Sequence, residues 1–261
     1  MTRSIALSGK GGVGKTTVAA LAVKTLLARG RSPVFAVDAD PNSNLPEQLG
    51  IASYGTVGDM REQLLRERDA LPPGTSKADW IGWRLAEIVV ESRGFDLISM
   101  GRPEGPGCYC YVNSLLREYL DARAGAYPWV VIDNEAGMEH LSRRTTRDVD
   151  TLVVVTDPTA VALTAAVRIA ALAESLPLRI GRVAFLVNRA EGADGEAERR
   201  IRDAGFGVLG TVPSDPRVAA RSRAGGTLLD IEDESPAYRA VAGIVDELCA
   251  RGGEEAGHGS S

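Results

Sequence analysis

The octapeptide GKGGVGKT, Gly9 to Thr16, decides how the rest of the chain is read. It satisfies G-x-x-x-x-G-K-S/T, follows the apolar run SIAL (4–7) and opens a helical period over 15–29. Strand, glycine-rich loop and helix in that order form a phosphate cradle. The glycines let successive N–H groups face the phosphates, Lys15 reaches the β and γ oxygens, and the Thr16 hydroxyl takes a place on Mg²⁺. The residues expected to hold nucleotide here are Gly11, Gly12, Val13, Gly14, Lys15, Thr16 and Thr17. Of 30 basic residues only four are lysine, and two of those, Lys10 and Lys15, fall in this one loop.

Moving outward, short aliphatic runs recur: PVFAVD (33–38), FDLISM (95–100), WVVID (129–133), TLVVVT (151–156), RVAFLVN (182–188) and, more weakly, GVLGTV (207–212). They are nearly all apolar rather than alternating, as strands covered on both faces of a parallel sheet are. Helical periods fill the gaps, over 57–68, 78–92, 111–122, 159–176, 195–204 and 235–250. Repeated βα alternation predicts an α/β fold, a doubly wound and mainly parallel sheet with helices on both faces and ligands at the carboxyl ends of the strands. Residues 1–250 are expected to form one domain, followed by a disordered polar tail over 251–261.

Bulk properties narrow the function. With 261 residues, 44% of them apolar, one large core suffices. A net charge of −5 disfavours nucleic acid and anionic lipid as partners. The N-terminal apolar run is too short for a signal peptide and no stretch is long enough to span a bilayer, so a cytoplasmic location is expected. Three cysteines are too few for a disulfide framework.

Acidic residues at strand ends supply further candidates. Asp38 and Asp40 lie in VDADPN and Asp133 ends VVID, where carboxylates can meet Mg²⁺ or a water behind the γ-phosphate, although strand-end aspartates also serve as helix caps. Cys108 and Cys110, in GPGCYCY (105–111), follow the run ending at residue 100. In extended backbone, positions i and i+2 point to the same side, so both sulfurs reach one ion, whereas a disulfide across so short a ring is strained. Two thiolates leave a tetrahedral soft-metal site half filled. A lone C-x-C is by itself weak evidence for metal, and an incidental pair is the alternative.

Lys10 makes KGGVGKT resemble the deviant Walker A ATPases, the family of MinD, ParA, the nitrogenase iron protein and the arsenite pump ATPases. The resemblance implies an ATP-sandwiched homodimer in which Lys10 crosses to the partner's nucleotide and joins Lys15 and Asp40 in hydrolysis. It implies that Asp40 is the switch I aspartate that polarises water, with Asp38 in the outer shell of the metal. It also makes Asp133 the Walker B acid, places switch II at NEAGMEH (134–140) with Gly137 sensing the γ-phosphate, and assigns adenine to Asn188 and Pro213. A plain turn is the alternative for the PSDP around Pro213. The switch II wording departs from the S-P-A-G type common in MinD.

GCYC ahead of VNSLLREYL, together with DNEAGMEHLSRR, closely resembles the CooC-type ATPases that mature nickel-dependent carbon monoxide dehydrogenase. That resemblance implies a metallochaperone whose dimer, with two cysteines from each chain, encloses Ni²⁺ or Zn²⁺ on its axis for delivery to a client metalloenzyme. The rivals are a ParA- or MinD-like partition or positioning ATPase and an iron–sulfur carrier like the nitrogenase iron protein. The first leaves GCYC unexplained, and NEAGMEH lacks the switch II cysteine that the second uses. Cys249 is expected to be apolar filler in the last helix, His140 to make a structural or solvent contact, and RRTTR (143–147) and RRIR (199–202) to be solvated faces.

Overall fold

Each aliphatic run becomes a strand in the computed structural model, which describes residues 2–66, 76–102, 125–135, 148–175, 179–192 and 195–255. The strands are β1 (Arg3–Gly9), β2 (Val34–Ala39), β3 (Val90–Glu91), β4 (Phe95–Ser99), β5 (Trp129–Asn134), β6 (Asp148–Thr156), β7 (Arg179–Ala190) and β8 (Gly207–Pro213). They form one sheet in the order β3-β4-β2-β5-β1-β6-β7-β8. All neighbours are parallel except β3, which pairs antiparallel with β4. The helices are α1 (Lys15–Ala28), α2 (Leu45–Gln48), α3 (Val57–Arg66), α4 (Lys77–Ile88), α5 (Ala160–Ser175), α6 (Gly195–Asp203), α7 (Pro216–Ala224) and α8 (Pro236–Glu255).

Alternate residues of each central strand feed two cores. Ile5, Leu7, Val131, Val153 and Leu186 meet α1 and α8 on one face. Ala6, Ile132, Leu152, Val154 and Phe185 meet α3 to α6 on the other. Burial of such a side chain contributes about 1.5–3 kcal/mol, and the demand from both faces explains the continuous apolar runs.

The chain leaves β1 for β2 on one side, returns through β5 to lie against β1, and crosses to β6 on the other side. That reversal opens a crevice beyond the carboxyl end of β1, where the glycine-rich loop begins.

Four helices depart from the sequence expectation. The helical period over 78–92 ends at Ile88, and Val90–Glu91 form a two-residue edge strand. Helix α2 is a single turn, too short to show a period. Helix α7 has no buried residue, and its ends rather than an apolar stripe define it: the Asp215 side chain accepts from the Arg217 N–H, and Gly225 closes it in the left-handed region. Helix α8 runs to Glu255, into the stretch where a disordered tail is expected, and residues 256–261 lie outside the described set. No helix among the described residues is long and apolar enough to cross a membrane.

Candidate functional site

The loop from β1 to α1 is fixed at both ends. Gly9 has φ 151°, and a Cβ there would run into the Val155 carbonyl oxygen on β6. Val13, 1% exposed, plugs the loop into the core while Gly11 and Gly12 face outward. Gly12 and Gly14 hold φ of 84° and 93°, conformations that favour glycine. Gly14 is the N-cap of α1, where no side chain caps the helix and the first turn carries no acid. Open N–H groups and the positive end of the helix dipole therefore face the crevice. Lys15 is 6% exposed, and its Nζ donates to the Lys10 carbonyl at 3.5 Å. The Lys10 side chain is exposed.

Strand register sets Asp38 of β2 beside Asp133 of β5, both fully buried. Burial, then the charge of Asp133, pushes the Asp38 carboxyl up to about 8, against the backbone N–H groups of Leu45 and Asp40. Those donors lie at 3.0 and 3.1 Å, so Asp38 organises the turn after β2. Burial likewise pushes Asp133 up to about 7, opposed by the Thr16 hydroxyl and the Lys15 ammonium. Neither of these closes a well-formed hydrogen bond, and both Asp133 carboxylate oxygens are buried without a partner. An orphaned carboxylate next to a hydroxyl and a phosphate loop is the donor set that a hydrated Mg²⁺ takes, so the residues present fit that ion.

Two adjoining clefts surround this point. A cleft of about 470 Å³ is lined by the loop glycines, Lys15, Thr16, Thr17, Asp40, Asn42, Glu135 and Arg189, among others. Asp40 reaches it with Oδ1 accepting the backbone N–H and Nδ2 of Asn42, at 2.8 and 2.9 Å. A second cleft of about 440 Å³, more apolar in character, is lined by Val18, Leu21, Asn188, Val212, Pro213, Pro216 and others. Thr17, Arg189 and Ser222 border both. The first has the size and polarity for phosphates, the second for a flat base.

Asn188 is buried, and its Nδ2 donates to the Val13 carbonyl at 2.7 Å. The amide thus braces the phosphate loop and leaves Oδ1 as the acceptor for a base amino group. A Cβ on Gly14 would strike this same amide nitrogen. Pro213 ends β8 and walls the base cleft beside Pro216. Asn134 donates to the Leu7 carbonyl at 2.8 Å, tying β5 to β1 where the ladder stops.

Sequence reasoning missed Arg189, which lines both clefts and holds φ 56° where the β7–β8 register slips. Its place directly after Asn188 at the end of an apolar run was the available signal. The turn after α7, with Gly225 and Gly226 on the phosphate cleft, gave no signal, because the fold alone brings it there. Cys108, Cys110, Gly137 and His140 lie outside the described residues, as does RRTTR. Among the described residues no group of three or more His, Cys, Asp or Glu could hold a metal ion. Cys249 is partly buried against the α1/α8 core, and burial pushes its thiol up, away from the thiolate form that binds metal.

Residues 4–228 match the family described as CobQ/CobB/MinD/ParA nucleotide binding domain. The chain belongs to this family. An uncharacterized ATP-binding protein of Methanocaldococcus jannaschii is 42% identical over 247 residues, 94% of this chain and 97% of that protein. The carbon monoxide dehydrogenase accessory protein CooC of Rhodospirillum rubrum is 32% identical over 249 residues, 90% of this chain and 91% of its own. Among solved structures, a ParA family ATPase from Chlorobium tepidum superposes with a TM-score of 0.73 at 20% identity, over 95% of this chain and all of that one. MinD of Aquifex aeolicus gives 0.67 at 21%, over 95% and 97%. In this nucleotide-binding family member the phosphate loop and Asp40 line the first cleft, Asn188 and Pro213 line the second, and Asp38 and Asp133 lie buried side by side at the ends of β2 and β5.

Proposed function

We propose that this P-loop ATPase of the MinD/ParA group is a metallochaperone that dimerises around ATP and hands Ni²⁺ or Zn²⁺ to a client metalloenzyme such as carbon monoxide dehydrogenase. The observation that carries the nucleotide half is the buried, unpartnered Asp133 carboxylate beside Thr16 and the Lys15-bearing loop. Lys15 and the loop N–H groups hold the β- and γ-phosphates. Thr16 and Asp133 would hold Mg²⁺, which would supply charge to offset that of the phosphates. Asp40 aligns the attacking water, which forms a bond to γ-phosphorus as the bond to the bridging β–γ oxygen breaks, giving ADP and phosphate, with the water's proton passing to solvent or phosphate. Lys10 from the second copy neutralises charge developing in that step, and Gly137 follows the presence of the γ-phosphate. Asn188 Oδ1 accepts from the adenine amino group, and Pro213 covers the ring.

The metal half rests on Cys108 and Cys110 in the sequence and on the similarity to CooC. Two thiolates from each copy make a tetrahedral sulfur site across a twofold axis, and the metal bound there is cargo. The partition or positioning alternative draws only on solved structures about 20% identical, which share the fold.

Native mass spectrometry with and without Mg-ATP and metal tests the proposal. A dimer carrying two nucleotides and one Ni²⁺ or Zn²⁺ is expected, with the metal lost in Cys108→Ser/Cys110→Ser and the nucleotide kept. An unchanged metal content in that variant overturns the cysteine assignment. A protein that stays monomeric with Mg-ATP and metal overturns the dimer.

A further inference from the structure

Asp40 does not stand alone in the phosphate cleft. Its Oδ1 takes both the backbone N–H and the Nδ2 of Asn42, at 2.8 and 2.9 Å, while Oδ2 has no hydrogen-bond partner among the described residues. The Asn42 amide is polarised from its other end: Arg102 Nη2 donates to Asn42 Oδ1 at 3.0 Å. Guanidinium, amide and carboxylate thus form a chain with every donor pointing towards Asp40. A cation on the amide oxygen strengthens the amide N–H as a donor.

The base of this chain is rigid. The Met100 N–H donates to the Asp38 carbonyl at 2.8 Å, and the Gly58 N–H to the Met100 carbonyl at 2.9 Å. Gly101 holds φ 67° with its Cα so close to Thr56 that a Cβ would collide, and a Cβ on Gly58 would lie 2.5 Å from the Arg102 carbonyl oxygen. Arg102 therefore leaves a fixed backbone platform at the end of β4, whereas Asp40 and Asn42 sit on the turn after β2. The carboxylates that line the same cleft, Asp59 and Glu62, are engaged elsewhere, Asp59 with Thr56 and Glu62 with Arg66.

We propose that Arg102 is a positioning residue for ATP hydrolysis: acting through Asn42, it fixes Oδ1 of Asp40 so that Oδ2 is the oxygen presented to the attacking water. The proposal rests on the reading that Asp40 orients that water. Arg102 does not line the phosphate cleft, so its loss leaves binding intact and slows the chemical step, because a misaligned group loses rate steeply with small displacement.

Steady-state and single-turnover ATP hydrolysis by the full chain provide the test. Arg102→Ala is expected to lower kcat on the order of tenfold with little change in KM, to leave the thermal unfolding midpoint in place, and to recover in millimolar guanidinium. Arg102→Lys keeps the charge but not the planar fork and is expected to fall between the two. In an Asp40→Asn background, Arg102→Ala is expected to change the residual single-turnover rate no further. Wild-type turnover in Asp40→Asn overturns the reading of Asp40 itself. A slow Asp40→Asn protein with wild-type turnover in Arg102→Ala overturns the relay alone, as do an effect confined to KM, no recovery in guanidinium, or an additive loss in the double variant.

Discussion

Replacing Asp133 by Asn should stabilise the nucleotide-free protein while damaging its function. Both carboxylate oxygens are buried without a partner, and the carboxyl is pushed from 3.8 up to about 7. At about 1.4 kcal/mol per pH unit, holding that charge inside the fold above pH 7 costs about 4 kcal/mol. Asparagine removes the charge but leaves a buried amide short of partners, at about 1–3 kcal/mol. The net gain at pH 8 is about 2 kcal/mol, which for a chain of this size raises the unfolding midpoint by about 4–8 °C. The sign with pH follows from proton counting. Between pH 4 and 7 the folded wild type keeps a proton at Asp133 that the unfolded chain has lost, so stability falls as pH rises through that window and levels off above it. Asp38, pushed up to about 8, extends the fall by about one pH unit. The variant is therefore about 2 kcal/mol less stable than wild type near pH 4, about level with it near pH 5, and more stable from there up to about pH 7, where the difference levels off. Thermal unfolding in chelator, at pH 5 and pH 8, measures it, and a second series with Mg-ADP should show wild type gaining more than the variant. An Asp133→Asn protein that unfolds below wild type at pH 8 without metal would refute the view that burial holds this carboxylate at a cost.

Gly14→Ala places a Cβ against the Asn188 amide at a φ of 93°, so nucleotide affinity should fall by at least tenfold while the two cores, and far-ultraviolet circular dichroism, stay intact. Lys15→Ala should abolish binding of a fluorescent ATP analogue, since it removes the buried lysine that lines the first cleft. Lys10→Ala, changing an exposed side chain, should keep that binding and lose the part of turnover that rises with protein concentration; full concentration-dependent turnover would exclude a role across the dimer. If Asn188 reads the base as proposed, Asn188→Ala should weaken ATP and relax discrimination against GTP, seen as a smaller ratio of the two affinities, and it also removes the brace on the Val13 carbonyl.

The sheet was legible because strands buried on two faces must be aliphatic along their whole length, and every run from SIAL to GVLGTV became a strand. The last was faint because it carries Gly207 and Gly210, and at Gly210 the backbone lies so near α8 that a Cβ would sit 3.3 Å from Ile244. Helices made by their caps, such as α7, left no period to find. The phosphate loop was legible for a local reason: its glycines, its lysine and its threonine act within eight residues of chain.

What the chain determined by itself was therefore the local chemistry, a loop that must bind phosphate and aspartates delivered to strand ends. Which of those aspartates are neighbours was a matter of register, and only the folded sheet set Asp38 beside Asp133 and raised both. The same holds for Asn188 under Val13, Arg189 at the junction of the clefts, and Arg102 behind Asn42, partners 60 or more residues apart or placed by a bulge. Charge and hydrogen bonding act over a few ångströms of space, and distance along a sequence carries no record of them until the backbone has closed.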